Sequence, residues 1–316
     1  SDAMVEVCNL ARKAAVTDLP VLIQGETGTG KELMSRAVHF FSGRKSFPFL
    51  AQNCGAFPDE LLHSELFGHK RGAFTGAISD RLGLFPAADG GTVFLDEISE
   101  VSPSFQVSLL RFLQEGEVKP LGTNQTRQCN IRIIAATNRP LAELVQQGKF
   151  RRDLYYRLRG FEINIPPLRE RRDDIPVLAE HAVHKYAESI NRKIAGIGSE
   201  VIQRLKAYAF PGNVRELENE MRRMVAMAED GEILTVKHMS PDLARLTAPP
   251  DKVLPTDFLA GAGTLKERVE ALEMHLVTQT LLKHKWNHSR AARELGLSRV
   301  GLANKVRRYK LDEKSA

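Results

Sequence analysis

Pro20-Val21-Leu22-Ile23-Gln24 runs directly into Gly25-Glu26-Thr27-Gly28-Thr29-Gly30-Lys31-Glu32. A short apolar run of this kind reads as a buried strand, and residues 31–41 carry helical spacing. A glycine-rich turn between strand and helix is the setting of a phosphate-binding loop, or P-loop. Its glycines let backbone N–H groups turn inward around phosphate oxygens, and the helix N-terminus adds its positive end. Lys31 is placed to reach β- and γ-phosphates. Gly25, Glu26, Thr27, Gly28, Thr29, Gly30, Lys31 and Glu32 are therefore candidate nucleotide ligands. Glu32 stands where the general pattern has a serine or threonine for magnesium.

Outward from the loop, residues 47–52, 92–95 and 131–135 are further short, mostly apolar runs, as buried parallel strands are. Helical segments separate them, among them 104–115, with Pro103 in its first turn and Ser102 as its cap. Alternation of this kind predicts an α/β domain with a wound parallel sheet over 1–172. Strand signals fade over 173–245, which reads as an α-helical lid subdomain. Residues 246–263, rich in proline and glycine, read as a linker, and 264–316 as a separate all-α domain.

The net charge of +6 is unevenly spread. Residues 264–316 hold 12 basic and 6 acidic side chains, and the other 263 residues hold 33 of each. A basic tail on a neutral body points to nucleic acid at that end. No run approaches the ~20 apolar residues of a membrane helix, and no secretory signal pattern opens the chain. Cys8, Cys54 and Cys129 lie too far apart for a disulfide scaffold or a cysteine zinc site. They read as structural thiols of a cytoplasmic protein.

Val93-Phe94-Leu95-Asp96-Glu97 lies 65 residues past Lys31, counted to Asp96. Asp96 is the candidate magnesium ligand, direct or through water, and Glu97 the group that polarises an attacking water. Strand alternation would send the two side chains to opposite faces, so the strand must end here.

Gly72-Ala73-Phe74-Thr75-Gly76-Ala77, directly after Glu65-Leu66-Phe67-Gly68-His69-Lys70-Arg71, is a low-bulk loop with two sizeable side chains. Taken alone, its Phe74 has two placements, toward a partner or back into the core. The hexapeptide resembles the signature of the sigma-54-dependent transcriptional activators, bacterial enhancer-binding proteins of the AAA+ class. The resemblance extends from the P-loop, which ends in Gly-Lys-Glu in that family too, to the C-terminal helices. It implies that residues 72–77 touch the sigma factor and move with the nucleotide state. It also implies that Asn53 restrains Glu97 in some nucleotide states, and that Asn138 senses the γ-phosphate. Arg151 and Arg157 match the arginine-finger positions, with Arg152 a surface charge. Arg215, in Pro211-Gly212-Asn213-Val214-Arg215, matches the second sensor, although Phe210 replaces the usual tryptophan. Pro166-Pro167-Leu168-Arg169-Glu170-Arg171 matches the lid boundary and is given no catalytic role. Fingers supplied by a neighbour imply a ring of six or seven subunits with the 72–77 loops around its pore. The family commonly carries an N-terminal regulatory domain, often the receiver of a two-component system; this chain opens almost directly on the ATPase part.

The tail gives its own signal. Leu265, Val269, Leu272, Leu276 and Leu282 keep helical spacing. Two short helices come next, with small Ala291 and Ala292, a turn at Gly296 and a cap at Ser298: a helix-turn-helix. Arg299, Val300, Asn304 and Lys305 are candidates for base edges in the major groove, and Arg290, Arg307 and Arg308 for phosphates. Between 283 and 310 stand nine basic residues and one acid, Glu294. The segment resembles the Fis-type helix-turn-helix of the same family, with Gly301 a departure that costs about 1 kcal/mol of helix propensity relative to alanine. The helix that precedes the motif, over 265–282, is a candidate for dimer pairing on a two-fold symmetric site.

The expected protein is thus an ATP- and Mg2+-dependent ring ATPase. It binds double-stranded upstream DNA and remodels a closed complex of sigma-54 RNA polymerase holoenzyme. The alternatives are a motor that acts on DNA directly, which would need basic or aromatic pore loops, and a repressor with nucleotide as an allosteric ligand only. Glu97, Arg151 and Arg157 argue against the repressor.

Overall fold

The computed structural model describes residues 1–245 and 286–309, and between them 270, 273, 274, 276–278, 280, 281 and 284. The expected linker, and Leu265, Val269, Leu272 and Leu282, lie outside the described residues. The chain divides into two units, Ser1–Ala248 and Pro249–Ala316. Among the described residues no helix is long and apolar enough to cross a membrane.

In the first unit, five parallel strands form one sheet: β1 (Val21–Gln24), β2 (Phe49–Asn53), β3 (Thr92–Asp96), β6 (Arg132–Thr137) and β7 (Phe161–Asn164), in the order β2-β3-β6-β1-β7. A small antiparallel pair, β4 (Glu117–Val118) and β5 (Arg127–Gln128), stands apart. The helices are α1 (Asp2–Ala15), α2 (Lys31–Phe40), α3 (Asp59–Phe67), α4 (Leu84–Ala87), α5 (Pro103–Glu115), α6 (Leu141–Gln146) and α7 (Arg152–Leu158). Both faces of the sheet are covered. Leu22, Val93, Leu95, Ile133 and Ala135 pack into one core, while Val21, Ile23, Phe94, Ile134 and Ala136 pack into the other. The period of two explains why these strands read as continuous apolar runs. Each fully buried leucine or isoleucine contributes roughly 1.5–3 kcal/mol.

Arg132 is 2% exposed and sits in the strand run. It is kept there by the carbonyls of Ala14, Ala15 and Leu19, at 2.7, 3.2 and 3.3 Å, where α1 ends. Three acceptors at a helix C-terminus offset the burial of a guanidinium. Ser102 caps α5 as expected, accepting from Phe105 N.

β7 lies outside the expected strands. It is an edge strand whose Glu162 faces Gln24 at 2.7 Å, so it lacks a fully apolar run.

The lid part comprises α8 (Ile175–Ser189), α9 (Ser199–Ala207), α10 (Asn213–Met227) and α11 (Pro241–Arg245) around a separate core that includes Leu168, Phe210, Leu217 and Met221. The helical lid expected here is present, with one short addition. β8 (Ile194–Ile197) and β9 (Glu232–Leu234) pair in parallel, with an irregularity between Ile194 and Gly196. They are too short to show a period.

In the second unit, α12 (His288–Glu294) and α13 (Arg299–Arg308) pack through Ala291, Ala292 and Leu302 against Val277 and Leu281. Leu276, expected on the apolar stripe, is exposed; the core face of that segment is carried by Val277 and Leu281.

Candidate functional site

Because all five strands run the same way, their carboxyl ends share one edge, where ligands of open α/β sheets bind. The P-loop leaves β1 there, Asp96 ends β3, Asn53 ends β2 and Asn138 follows β6. Gln24 is in register with Thr137, and Gly25 N donates to Thr137 O at 3.2 Å, so P-loop and β6 exit are bonded side by side. Asn138 Nδ2 donates to Thr27 Oγ1 at 3.3 Å.

Gly28 and Gly30 adopt φ of 79° and 103°, which glycine takes without strain. The first bond of α2 is Met34 N to Gly30 O, which leaves the earlier N–H groups of the helix end facing outward. Lys31 folds its ammonium onto its own loop, donating to Gly25 O at 2.8 Å and Glu26 O at 3.1 Å. Burial pushes its pKa below the usual lysine range, against the opposing pull of Asp96 and Glu97. Glu32 gives its carboxylate to Arg36, 2.8 Å away on the exposed side of α2. The side chain of Glu32 is therefore taken up by a neighbour one turn on, and its amide is what it offers at the helix end.

β3 stops at Asp96, and Glu97 takes a left-handed conformation, φ 56° and ψ 43°. This kink breaks the alternation that would have sent the two carboxylates apart. A non-glycine residue held there costs roughly 1–3 kcal/mol and is common at functional sites. Asp96 accepts from Glu97 N at 3.0 Å. Burial raises its pKa above the ordinary carboxylate value, opposed by the hydrogen bond from Glu97 N and by Lys31, while the Glu97 charge adds to the rise. A half-buried carboxylate near the Lys31 ammonium suits a cation. Among the described residues no cluster of three or more His, Cys, Asp or Glu side chains could hold a metal. Asp96 is the residue here that would hold a magnesium ion, which would supply positive charge beside bound phosphates. The Glu97 carboxylate lies close against Gly55, where an added Cβ would meet Oε2 at 2.7 Å. Asn53 Oδ1 accepts from Gly55 N at 2.8 Å, and no hydrogen bond joins Asn53 to Glu97. The Cys54 thiol beside them is pushed up to about 12 by burial, with Asp96 and Glu97 adding to it, which makes it an inert packing group.

The lid closes onto the loop. Val214 N and Arg215 N both donate to Gly28 O, at 3.0 and 3.3 Å. A Cβ on Gly28 would stand 2.3 Å from Gly212 O. Three residues without an expected role complete this side. Arg169 forks onto the Glu26 carboxylate at 2.6 and 2.8 Å. Arg171 donates to Thr29 O at 3.0 Å. Asn213 bonds Leu168 N, Glu26 and Thr27 O. The signal available in the sequence was an asparagine between a glycine and a helix, a place where left-handed backbone is common.

Arg151 and Arg157 are not joined to this P-loop. Arg151 forks onto Asp153 at 2.6 and 3.0 Å, and Arg157 donates to Leu113 O at 2.9 and 3.1 Å. Arg152 lies over the Tyr156 ring. Gln106 of α5, 1% exposed, donates to Val101 O and Lys149 O and accepts from Arg151 N at 2.8 Å.

The 72–77 loop is closed on itself by Gly72 N to Ala77 O, 2.9 Å, and Ala77 N to Phe74 O, 3.1 Å. Gly72 and Gly76 have φ of 82° and 104°. At its base His69 pairs with Arg81 in both directions, and Lys70 bridges to Asp80 at 2.6 Å. Phe74 takes neither expected extreme. It is half-buried, edge-on to His69 with ring centroids 5.0 Å apart. Ala77 is buried, Ala73 is half-buried against Gly122, and Thr75 is exposed.

In the second unit Ser298 Oγ accepts from Gly301 N at 3.0 Å, so this hydroxyl caps α13. A Cβ on Gly301 would come 3.1 Å from that oxygen. Arg290, Arg299, Val300, Asn304 and Arg307 are exposed. Lys305 and Arg308 have other partners than those expected: Lys305 bonds Glu273, which also takes Tyr309, and Arg308 bonds Glu270. Acids on the preceding segment draw these two cations aside.

A wound parallel sheet with a P-loop at its carboxyl edge and a helical lid on that loop defines the AAA+ class of P-loop NTPase folds. Family profiles divide the chain as the Sigma-54 interaction domain over residues 1–164, the AAA+ ATPase lid domain over 169–253, and the Bacterial regulatory protein, Fis family, over 268–309. The chain belongs to the sigma-54-dependent transcriptional regulators. It is 50% identical to the Hydrogenase transcriptional regulatory protein HoxA of Bradyrhizobium diazoefficiens over 98% of this chain and 63% of the relative. It is 42% identical to the Response regulator protein PilR of Pseudomonas aeruginosa, over 99% and 69%. Among solved structures, NtrX from Brucella abortus in complex with ADP matches with a TM-score of 0.71 and 28% identity, over 98% of this chain and 69% of that one. The chain thus spans under two thirds of the length of the HoxA relative.

Proposed function

We propose that this chain is the ATP-hydrolysing and DNA-recognising part of a sigma-54-dependent activator, working in the cytoplasm as a ring of six or seven subunits. The observation that carries the reading is the meeting of the P-loop, Asp96–Glu97 and Asn138 at one sheet edge, with Arg215 of the lid bonded to Gly28. The P-loop amides and Lys31 hold the phosphates, and NtrX, crystallised with ADP and with ATP, supports a nucleotide there. Magnesium, when bound at Asp96, neutralises charge on the phosphate oxygens. Glu97 orients and deprotonates the attacking water, Asn53 restrains it in other nucleotide states, and Asn138 and Arg215 sense the γ-phosphate. Arg151 and Arg157, bonded to Asp153 and Leu113 O and not to their own P-loop, serve the neighbouring subunit, where a finger accelerates hydrolysis by ~10³–10⁵.

Hydrolysis then drives the 72–77 loop, Thr75 foremost, against sigma-54 in the polymerase holoenzyme and converts the closed complex to an open one. Release of Phe74 from His69 would be part of that motion. The C-terminal unit holds the ring at double-stranded upstream DNA, as a dimer. Arg299, Val300 and Asn304 face bases, and Arg290 and Arg307 face phosphates.

The test is ATP-dependent open-complex formation by sigma-54 polymerase, with hydrolysis recorded alongside, for wild type and Thr75→Ala. Opening lost with hydrolysis retained is expected. Good hydrolysis without any opening by the wild-type chain would overturn the activator reading.

A further inference from the structure

A loop that turns its N–H groups toward an anion turns its carbonyls outward, and those carbonyls need donors. Here the donors come from the hinge and the lid. Thr27 O, Gly28 O and Thr29 O are taken by Asn213 Nδ2, by the amides of Val214 and Arg215, and by Arg171. Asn213 is the centre of the set. It is wholly buried, and its amide group is fully used: Oδ1 accepts from Leu168 N at 2.8 Å, and Nδ2 donates to Thr27 O at 3.0 Å and Glu26 Oε2 at 3.1 Å. Its φ of 53° is one that asparagine and glycine tolerate best. Arg169, in the hinge, holds the same Glu26 carboxylate by a fork.

We infer that Asn213, with Arg169 and Glu26 as partners, is a positioning residue that holds the P-loop in its N–H-inward form and fixes where Arg215 enters the site. The side chain touches no phosphate; it acts through the loop's outer carbonyls. Nucleotide affinity is therefore set partly from behind the loop. The effect on affinity rests on the proposed nucleotide site; the loop-holding role does not.

The test uses the whole chain and two variants. Asn213→Gly keeps the left-handed backbone and removes the amide. Asn213→Asp keeps the size and the acceptor for Leu168 N but sets an oxygen against Thr27 O and Glu26. Amide hydrogen exchange is monitored without nucleotide, and binding is measured with a fluorescent mant-ATP. Both variants should exchange faster over residues 24–31, and Asn213→Gly at Leu168 as well, with α8 and α10 still protected, and both should bind mant-ATP about tenfold to a hundredfold more weakly. Adding Glu26→Gln to Asn213→Asp gives the new carboxylate a donor and should recover part of the affinity. Wild-type exchange and affinity in both variants would overturn the inference. So would loss of protection throughout the lid, which would make Asn213 a residue of the fold alone. Faster loop exchange in a chain whose wild type binds no mant-ATP would sustain the loop-holding role and sink the nucleotide reading.

Discussion

Gly28→Ala is the perturbation whose cost is most directly calculable. At φ 79° an L-residue pays about 1–2 kcal/mol that glycine does not. The new methyl would also stand 2.3 Å from Gly212 O, an impossible approach to a backbone atom. Gly212 cannot swing freely, because Phe210 and Asn213 on either side are buried and already hold φ of 48° and 53°. Relief must come by lifting the start of α10 off the loop. That breaks the bonds from Val214 N and Arg215 N to Gly28 O, each worth about 1 kcal/mol net. The sum is roughly 3–4 kcal/mol. For a unit of this size that corresponds to a melting temperature about 6–16 °C lower. Thermal unfolding monitored by circular dichroism reads it, and the nucleotide-dependent rise in Tm should shrink in the same variant. A Gly28→Ala protein melting within a degree of wild type would refute the argument that lid and loop share this energy.

Asp96→Asn should stabilise the metal-free protein at neutral pH while abolishing magnesium-dependent hydrolysis. Burial raises the Asp96 pKa in the fold. Its contribution to stability is therefore complete below the ordinary carboxylate range and is lost as pH rises through the raised value. Removing the charge should lift the melting temperature at pH 7 and leave it unchanged in acid; a lower Tm at pH 7 would contradict this sign. In the second unit, Glu273→Gln should free Lys305 for DNA. The slope of log K against log salt should steepen by about 0.9, one phosphate contact's worth, and an unchanged slope would place Lys305 away from the duplex.

What the sequence made legible was local. β1, the P-loop and α2 are contiguous, and β3 with Asp96–Glu97 is a single short segment, so pattern and chemistry appear together. The Ser102 and Ser298 caps act within three residues. What escaped was long-range or too short to carry a period. β8 and β9 have four and three residues, and β7 is a mixed edge strand. The fork of Arg169 on Glu26 spans 143 positions, and Lys305 finds Glu273 across 32. No local rule links such partners. The charge count of the tail read these cations as available, because it could not see which acid stood opposite. Phe74 shows the same limit: its neighbour His69 is near in sequence, but the choice between partner and core depends on how the loop closes.

Gln106 joins the segment that follows Asp96–Glu97 to the base of Arg151. Its amide holds Val101 O, just past the turn after Glu97, and Lys149 O together with Arg151 N. One buried side chain near the start of α5 therefore ties the exit of the strand bearing the two acids to the backbone of Arg151. In the ring proposed above, α5 would act as a rocker arm. A tilt beginning beside Glu97 of one subunit would then be delivered through Gln106 to Arg151, the proposed finger for the next. Such a ring would have the means for its subunits to take turns.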